Sequence, residues 1–225
     1  MTTHDPQLSQ TYSYLALRKA VGLIGILLPF VLMTGLIVIF REKTVLRTIS
    51  LYYHSQMRDI FVGALCSIAL FLFFYKGYCK WDNIAANLAA FFALGIAFFP
   101  TIQEGPLDWK AWIHFISASL FFITLSCFSI FLFTRKNPHP TINKLARNKI
   151  YISCGVVMIV CLISILIFFV FLEKNHPDSS FVFWIESLAL IAFGISWLTK
   201  GGTIFRDEKK LRINLFSDKK KYFFS

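Results

Sequence analysis

Six apolar stretches, each close to the length that crosses a lipid bilayer, constrain this chain more than any other feature. They cover roughly Val21–Phe40, Ile60–Tyr75, Ile84–Phe99, Ala111–Phe133, Ile150–Leu172 and Phe181–Thr199. About 20 residues of α-helix cross a hydrocarbon core of ~30 Å. Backbone N–H and C=O groups in lipid must be satisfied within their own segment, so each stretch is expected to be helical. The predicted fold class is all-α: a polytopic membrane helix bundle with six transmembrane helices over residues 1–204, followed by a basic cytoplasmic tail at 205–225. A hydrophobic fraction of 56% with only 16% charged residues is consistent with lipid as the solvent, because a soluble globule cannot cover that much apolar surface. The first stretch is expected to remain as an anchor, since it is long for a signal segment and "FREKTVLR" lacks a small-residue cleavage pattern. Pro29 in "LLPF" predicts a kink there.

The formal net charge of +11 does not point to nucleic acid, because Lys and Arg fall in the loops and tail rather than along an aromatic-lined groove. The N-terminus, the loops after the second and fourth stretches and the C-terminal tail hold 17 of the 23 Lys and Arg; the other three loops hold 6. The positive-inside rule then places both termini in the cytoplasm. Trp109, Trp112 and Trp184 are assigned to the outer aromatic belt and Trp81 and Trp197 to the inner one. Ala89, Ala93 and Ala97 recur every four residues, a spacing that lets helices approach closely and that fits packing inside one bundle better than a dimer seam. Membrane lipid is the expected partner, with the tail along the inner leaflet, and nothing supports an oligomer or nucleic acid. The cysteines, Cys66, Cys79, Cys127, Cys154 and Cys161, show no metal-ligand spacing and read as small apolar fillers.

Against this apolar background the stretch "SLYYHSQMRDIF", residues 50–61, concentrates ionisable groups at the lip of the second span. Only 16 uncharged residues separate Asp59 from Lys76. At 1.5 Å per residue they cover about 24 Å, short of the hydrocarbon core. Lys76 has a stem long enough to reach the interface; Asp59 does not and is expected to be held by a partner. His114 enters the fourth span and Glu186 lies about a turn and a half into the sixth, so His54, Asp59, His114 and Glu186 share one depth near the outer face. Carboxylates in a membrane are costly and usually pair or carry function.

Three uses remain open for these four residues. They suit a catalytic acid–base network. Alternatively His54, His114 and Asp59 suit zinc, with a position left for water. They also suit a structural reading in which His54 is an ordinary loop histidine, Asp59 a helix N-terminal residue favoured by the dipole and Glu186 a partner for Arg58 or Arg47. Glu104, Asp108, Glu173, His176 and Asp178 are expected to be solvated loop residues, and Asn83 and Asn87 to bond across helices. His139 in "NPHP" belongs to an inner loop.

The segments "YLALRKAVGLIGILLPFVL", "ISLYYHSQMRDIFVGALCSIALFLFFYKGY" and "FWIESLALIAFGISWLTKG" resemble a group of uncharacterised bacterial multi-pass membrane proteins. The six-span layout is also loosely similar to Frag/DRAM-type membrane proteins. The resemblance implies a bacterial inner-membrane location and no particular reaction. "SLYYH" resembles the Ser-x-x-x-His element of the hemolysin III, adiponectin-receptor and alkaline-ceramidase superfamily, on which Ser50 and His54 would match. The chain departs from that pattern: the pair precedes a span, six spans replace seven and the closing His-x-x-x-His pair is missing. Ser50 and Arg58 are the candidate ligand contacts. The expected function is a membrane protein with a polar His/Asp/Glu cluster near the outer face, in a structural, sensory or ligand-binding role. The alternatives are a metal-dependent intramembrane lipid hydrolase using zinc and a small-solute or proton transporter.

Overall fold

A computed structural model describes residues 6–77, 79–103, 105–135 and 141–205. Glu104, His139 and the tail from Arg206 onward lie outside the described residues. Within them the chain is helical and contains no strand. Six helices follow one another: α1 (Pro6–Thr34), α2 (Arg58–Phe73), α3 (Lys80–Phe98), α4 (Trp109–Cys127), α5 (Ile142–Ile167) and α6 (Phe181–Lys200). α1, α4 and α5 each run on into a wider π-helical turn, at Gly35–Ile39, Phe128–Leu132 and Phe168–Leu172. α1 continues through Pro29.

Five segments are long and apolar enough to cross a membrane: Leu15–Ile39, Lys80–Phe98, Trp109–Leu132, Ile142–Asn175 and Phe181–Lys200. The missing sixth is α2, whose 16 residues reach about 24 Å. Its shortness was readable in the sequence; its neighbours were not. Each helix packs on the helices before and after it in the chain, and α6 closes the ring on α1. α2 therefore sits between α1 and α3, with Phe61, Leu65, Ile68, Ala69 and Leu72 buried.

Small residues set how closely the helices approach. A Cβ on Gly22 of α1 would lie 2.8 Å from the Gly194 carbonyl oxygen of α6, and one on Gly194 would lie 2.5 Å from that of Gly22. The two backbones touch there, which is possible only because neither residue carries a side chain. Ala89, Ala93 and Ala97 are buried on α3, between α2 and α4. That face is consumed within the bundle, as the four-residue spacing suggested.

The end of the bundle that carries the start of α1 and the end of α6 is aromatic and cationic. Trp197, expected in an aromatic belt, is instead buried among Tyr75, Phe128, Phe133 and Phe193. Trp81, its proposed belt partner, is exposed. Arg18 lies over the Tyr75 ring at 5.2 Å and Lys200 over Phe133 at 4.8 Å, and Lys144 donates to the Phe133 carbonyl at 2.9 Å. Aromatic faces attract such cations, so two rings and one carbonyl from the middle of the chain hold charges from three helices together.

The turn into α3 is capped from within. Asp82 is 2% exposed, accepts from the Cys79 N–H at 3.2 Å and pairs with Arg135 at 3.4 Å. Cys79 is thus more than filler. The Asp82 N–H, followed by the Arg135 guanidinium, holds its thiol below the usual cysteine range. Asn83 accepts from the Gly77 N–H at 2.9 Å, a local turn bond in place of the expected bond across helices.

Candidate functional site

At the opposite end of the bundle, residues 47–54 are fastened at several points to three other segments. Thr48 starts the local structure by accepting from the Leu51 N–H at 3.1 Å, and Ser50–His54 then wind into a 3-10 turn. Tyr52 points inward, fully buried, with its ring 5.9 Å from that of Phe183.

Each fastening has a different donor. The Phe183 N–H at the start of α6 donates to the Arg47 carbonyl at 2.9 Å. One turn further along α6, the Glu186 carboxyl accepts from the Ile49 N–H at 2.6 Å. The next residue, Ser50, meets His114 of α4, with Oγ 2.8 Å from Nε2. His54 Nε2 donates to the Thr101 carbonyl at 2.6 Å. The Arg47 guanidinium donates to the Pro177 carbonyl at 2.8 Å and, at a longer 3.4 Å, to that of Gln103. Segments from before α2, between α3 and α4, and between α5 and α6 are thereby joined at one end.

The His114 ring has an ordered role because both nitrogens are engaged. Nδ1 lies 2.7 Å from the Phe99 carbonyl, which can only accept, so Nδ1 carries the hydrogen. In the neutral ring Nε2 is then an acceptor, and the Ser50 hydroxyl is its donor. His114 is 1% exposed, while Ser50 keeps part of its surface open. Asp108 places this helix: it is the N-cap of α4 and accepts from the Ala111 N–H at 2.7 Å. An acidic residue just ahead of a helix start is a capping signal, so the expectation of a merely solvated Asp108 is corrected.

Of the four residues proposed to meet, His54, His114 and Glu186 do join one network, through Thr101, Phe99, Ser50 and Ile49. Asp59 does not. It stands exposed in the first turn of α2 and makes no hydrogen bond or ion pair with the described residues. The helix N-terminus is a favourable place for its charge, which removes the need for a partner. Arg58 does not pair with an acid either: it donates to the Tyr53 hydroxyl at 2.8 Å and stacks over that ring at 4.4 Å. Glu186 holds a backbone amide in place of the expected Arg58 or Arg47.

The zinc set fares differently from the network. Among the described residues no group of three or more His, Cys, Asp or Glu is placed to hold a metal ion. His54 and His114 each spend a nitrogen on a carbonyl, and Asp59 is elsewhere.

Sequence reasoning missed Thr101 and the Phe99 carbonyl, and it named Arg47 only as a side-chain partner for Glu186. All three accept a bond through a backbone oxygen, which every residue possesses and which carries no sequence signature. Compared with protein-family profiles, curated protein sequences and solved structures, the chain finds no match.

Proposed function

We propose that this chain is a six-span inner-membrane protein, with both termini in the cytoplasm, whose outer end is closed by a polar clasp with a structural, sensory or ligand-binding role. The observation that carries the clasp is the set of bonds made by residues 47–54: Arg47 to Phe183, Ile49 to Glu186, Ser50 to His114 and His54 to Thr101. In lipid-facing surroundings an unmade hydrogen bond is costly, so a loop tied at four residues stays down until something replaces those bonds.

Support for a sixth span comes from the two ends of α2. Its entry turn belongs to the clasp, while Tyr75, just past its exit, packs on Trp197 at the other end. A short helix flanked by longer ones is accommodated if the 3-10 turn and residues 74–75 complete the crossing. The cationic end, with Arg18, Lys144 and Lys200, is the side the positive-inside rule puts in the cytoplasm. Transport has no comparable support, because the described helices are not broken in mid-span. Metal-dependent hydrolysis lacks a ligand set among the described residues.

The test uses single cysteines in a background with the five native ones replaced. A membrane-impermeant maleimide is expected to label Thr44→Cys and Asp178→Cys in intact spheroplasts, and Thr141→Cys only after permeabilisation. Labelling of position 141 from outside overturns the threading. Hydrogen exchange at residues 47–54 as fast as in an unstructured peptide overturns the clasp.

A further inference from the structure

The clasp does more than hold a loop down: it delivers one hydroxyl to one imidazole. Resting on the clasp reading, we propose that Ser50 and His114 form a nucleophile–base dyad that acts on carboxylic esters of lipids at the outer membrane interface.

Three observations carry this. The first is the pair itself, with Ser50 Oγ 2.8 Å from His114 Nε2. An activated serine requires a base within about 2.6–3.2 Å whose ring is oriented by a third group. The Phe99 carbonyl is that third group, at 2.7 Å from Nδ1. It fixes the tautomer that leaves Nε2 free to take a proton, the task an acidic residue performs in a serine–histidine–aspartate triad.

The second observation is differential exposure. His114 is buried while Ser50 as a residue is only half-buried, so the base is shielded from water and the residue that carries the nucleophile reaches the surface. On either side of Ser50 the chain is immobilised by Glu186 at Ile49 and by His54 at Thr101. These are positioning residues, since they hold the hydroxyl at its base without touching it.

The third observation is depth. Trp109, Trp112 and Trp184 are exposed near the starts of α4 and α6, the helices that supply His114 and Glu186. Exposed tryptophans mark the headgroup boundary, where the ester carbonyls of glycerolipids reside. His114 follows Trp112 by two residues, about 3 Å along the helix axis. The dyad therefore lies at ester depth.

The step balances without a metal or redox partner. Ser50 Oγ attacks the ester carbonyl carbon as its proton passes to His114 Nε2. The tetrahedral adduct collapses, the C–O bond breaks, and the alcohol departs with that proton, leaving the acyl group on Ser50. Water, deprotonated by Nε2, then cleaves the acyl-serine to the carboxylic acid and restores the hydroxyl.

The experiment treats the full chain, in phosphatidylethanolamine/phosphatidylglycerol nanodiscs, with a fluorophosphonate probe and locates the adduct by mass spectrometry. Labelling at Ser50 is expected, with a rate at least about 100-fold lower in His114→Gln, the usual contribution of a general base. No label at Ser50, or equal labelling in His114→Gln, overturns the dyad. Should His114→Gln fail to fold, Ser50→Cys gives an independent reading: its thiol is expected to alkylate at pH 7 faster than that of Thr44→Cys in the exposed outer loop. An equal or slower rate overturns the proposal. Hydrogen exchange on the wild-type chain separates the two readings. An unlabelled Ser50 within a protected 47–54 segment removes the dyad alone, and an unprotected segment removes the clasp as well.

Discussion

Replacing Glu186 by alanine isolates one of the two clasp bonds that reach a backbone group at 2.6 Å, from Oε2 to the Ile49 nitrogen. Ile49 is 4% exposed, so its N–H has no ready access to water once the carboxyl is gone. An orphaned buried donor costs about 1–3 kcal/mol. Hydrogen bonds measured inside membrane bundles average lower, about 0.6 kcal/mol with a maximum near 1.7. The clasp lies at an interface, so about 1–2 kcal/mol is the expected loss. At 1.4 kcal/mol per factor of ten, amide exchange across residues 49–53 accelerates about 5- to 30-fold if opening of the clasp governs it. Thermal unfolding followed by tryptophan fluorescence in detergent moves down by about 2–8 °C for a chain of this size.

Glu186→Gln separates the bond from the side chain's bulk. Glutamine retains an acceptor oxygen at nearly the same reach, so it is expected to recover most of the protection. If alanine leaves exchange at 49–53 unchanged, the carboxyl is not what holds the loop. If glutamine is as damaging as alanine, the acceptor is not what matters. Either result refutes the reasoning.

Two further predictions concern the rest of the fold. Gly194→Ala forces a methyl against the Gly22 carbonyl and is expected to cost about 1–3 kcal/mol, read as a lower melting temperature. Gly63→Ala, whose added Cβ meets nothing within 4 Å in the middle of α2, is expected to raise stability by up to about 1 kcal/mol; the same sign for both variants would refute the α1–α6 seam. Iodoacetamide is expected to modify Cys79 at a pH below that needed for an ordinary thiol, because a lowered pKa puts more thiolate in solution at a given pH. Arg135→Ala should slow that reaction, and an unchanged pH–rate profile would remove the guanidinium from the account.

The pattern of legibility follows from which interactions leave a mark on residue type. Span positions were readable because burying a helix in lipid demands a run of apolar side chains. The Ala89–Ala93–Ala97 face was readable because close packing demands small ones. His54, His114 and Glu186 stood out because charge and polarity are conspicuous against such a background. Asp59 stood out for the same reason, but conspicuous polarity did not decide between the inward cluster and the exposed helix N-terminus that it occupies. Trp197 was misassigned because an indole suits either an interface or a packed aromatic core.

By itself the amino-acid sequence determined an all-helical chain built for a membrane, where the apolar runs lie and which residues are too polar to be casual. Only the tertiary structure decided that the ring closes through Gly22 and Gly194, that Ser50 meets His114 and that Glu186 serves a backbone amide. The reason is physical: apolar burial depends on side-chain chemistry and is written in composition. Helix register, and the peptide groups that answer a polar side chain, depend on how distant segments come to rest against one another.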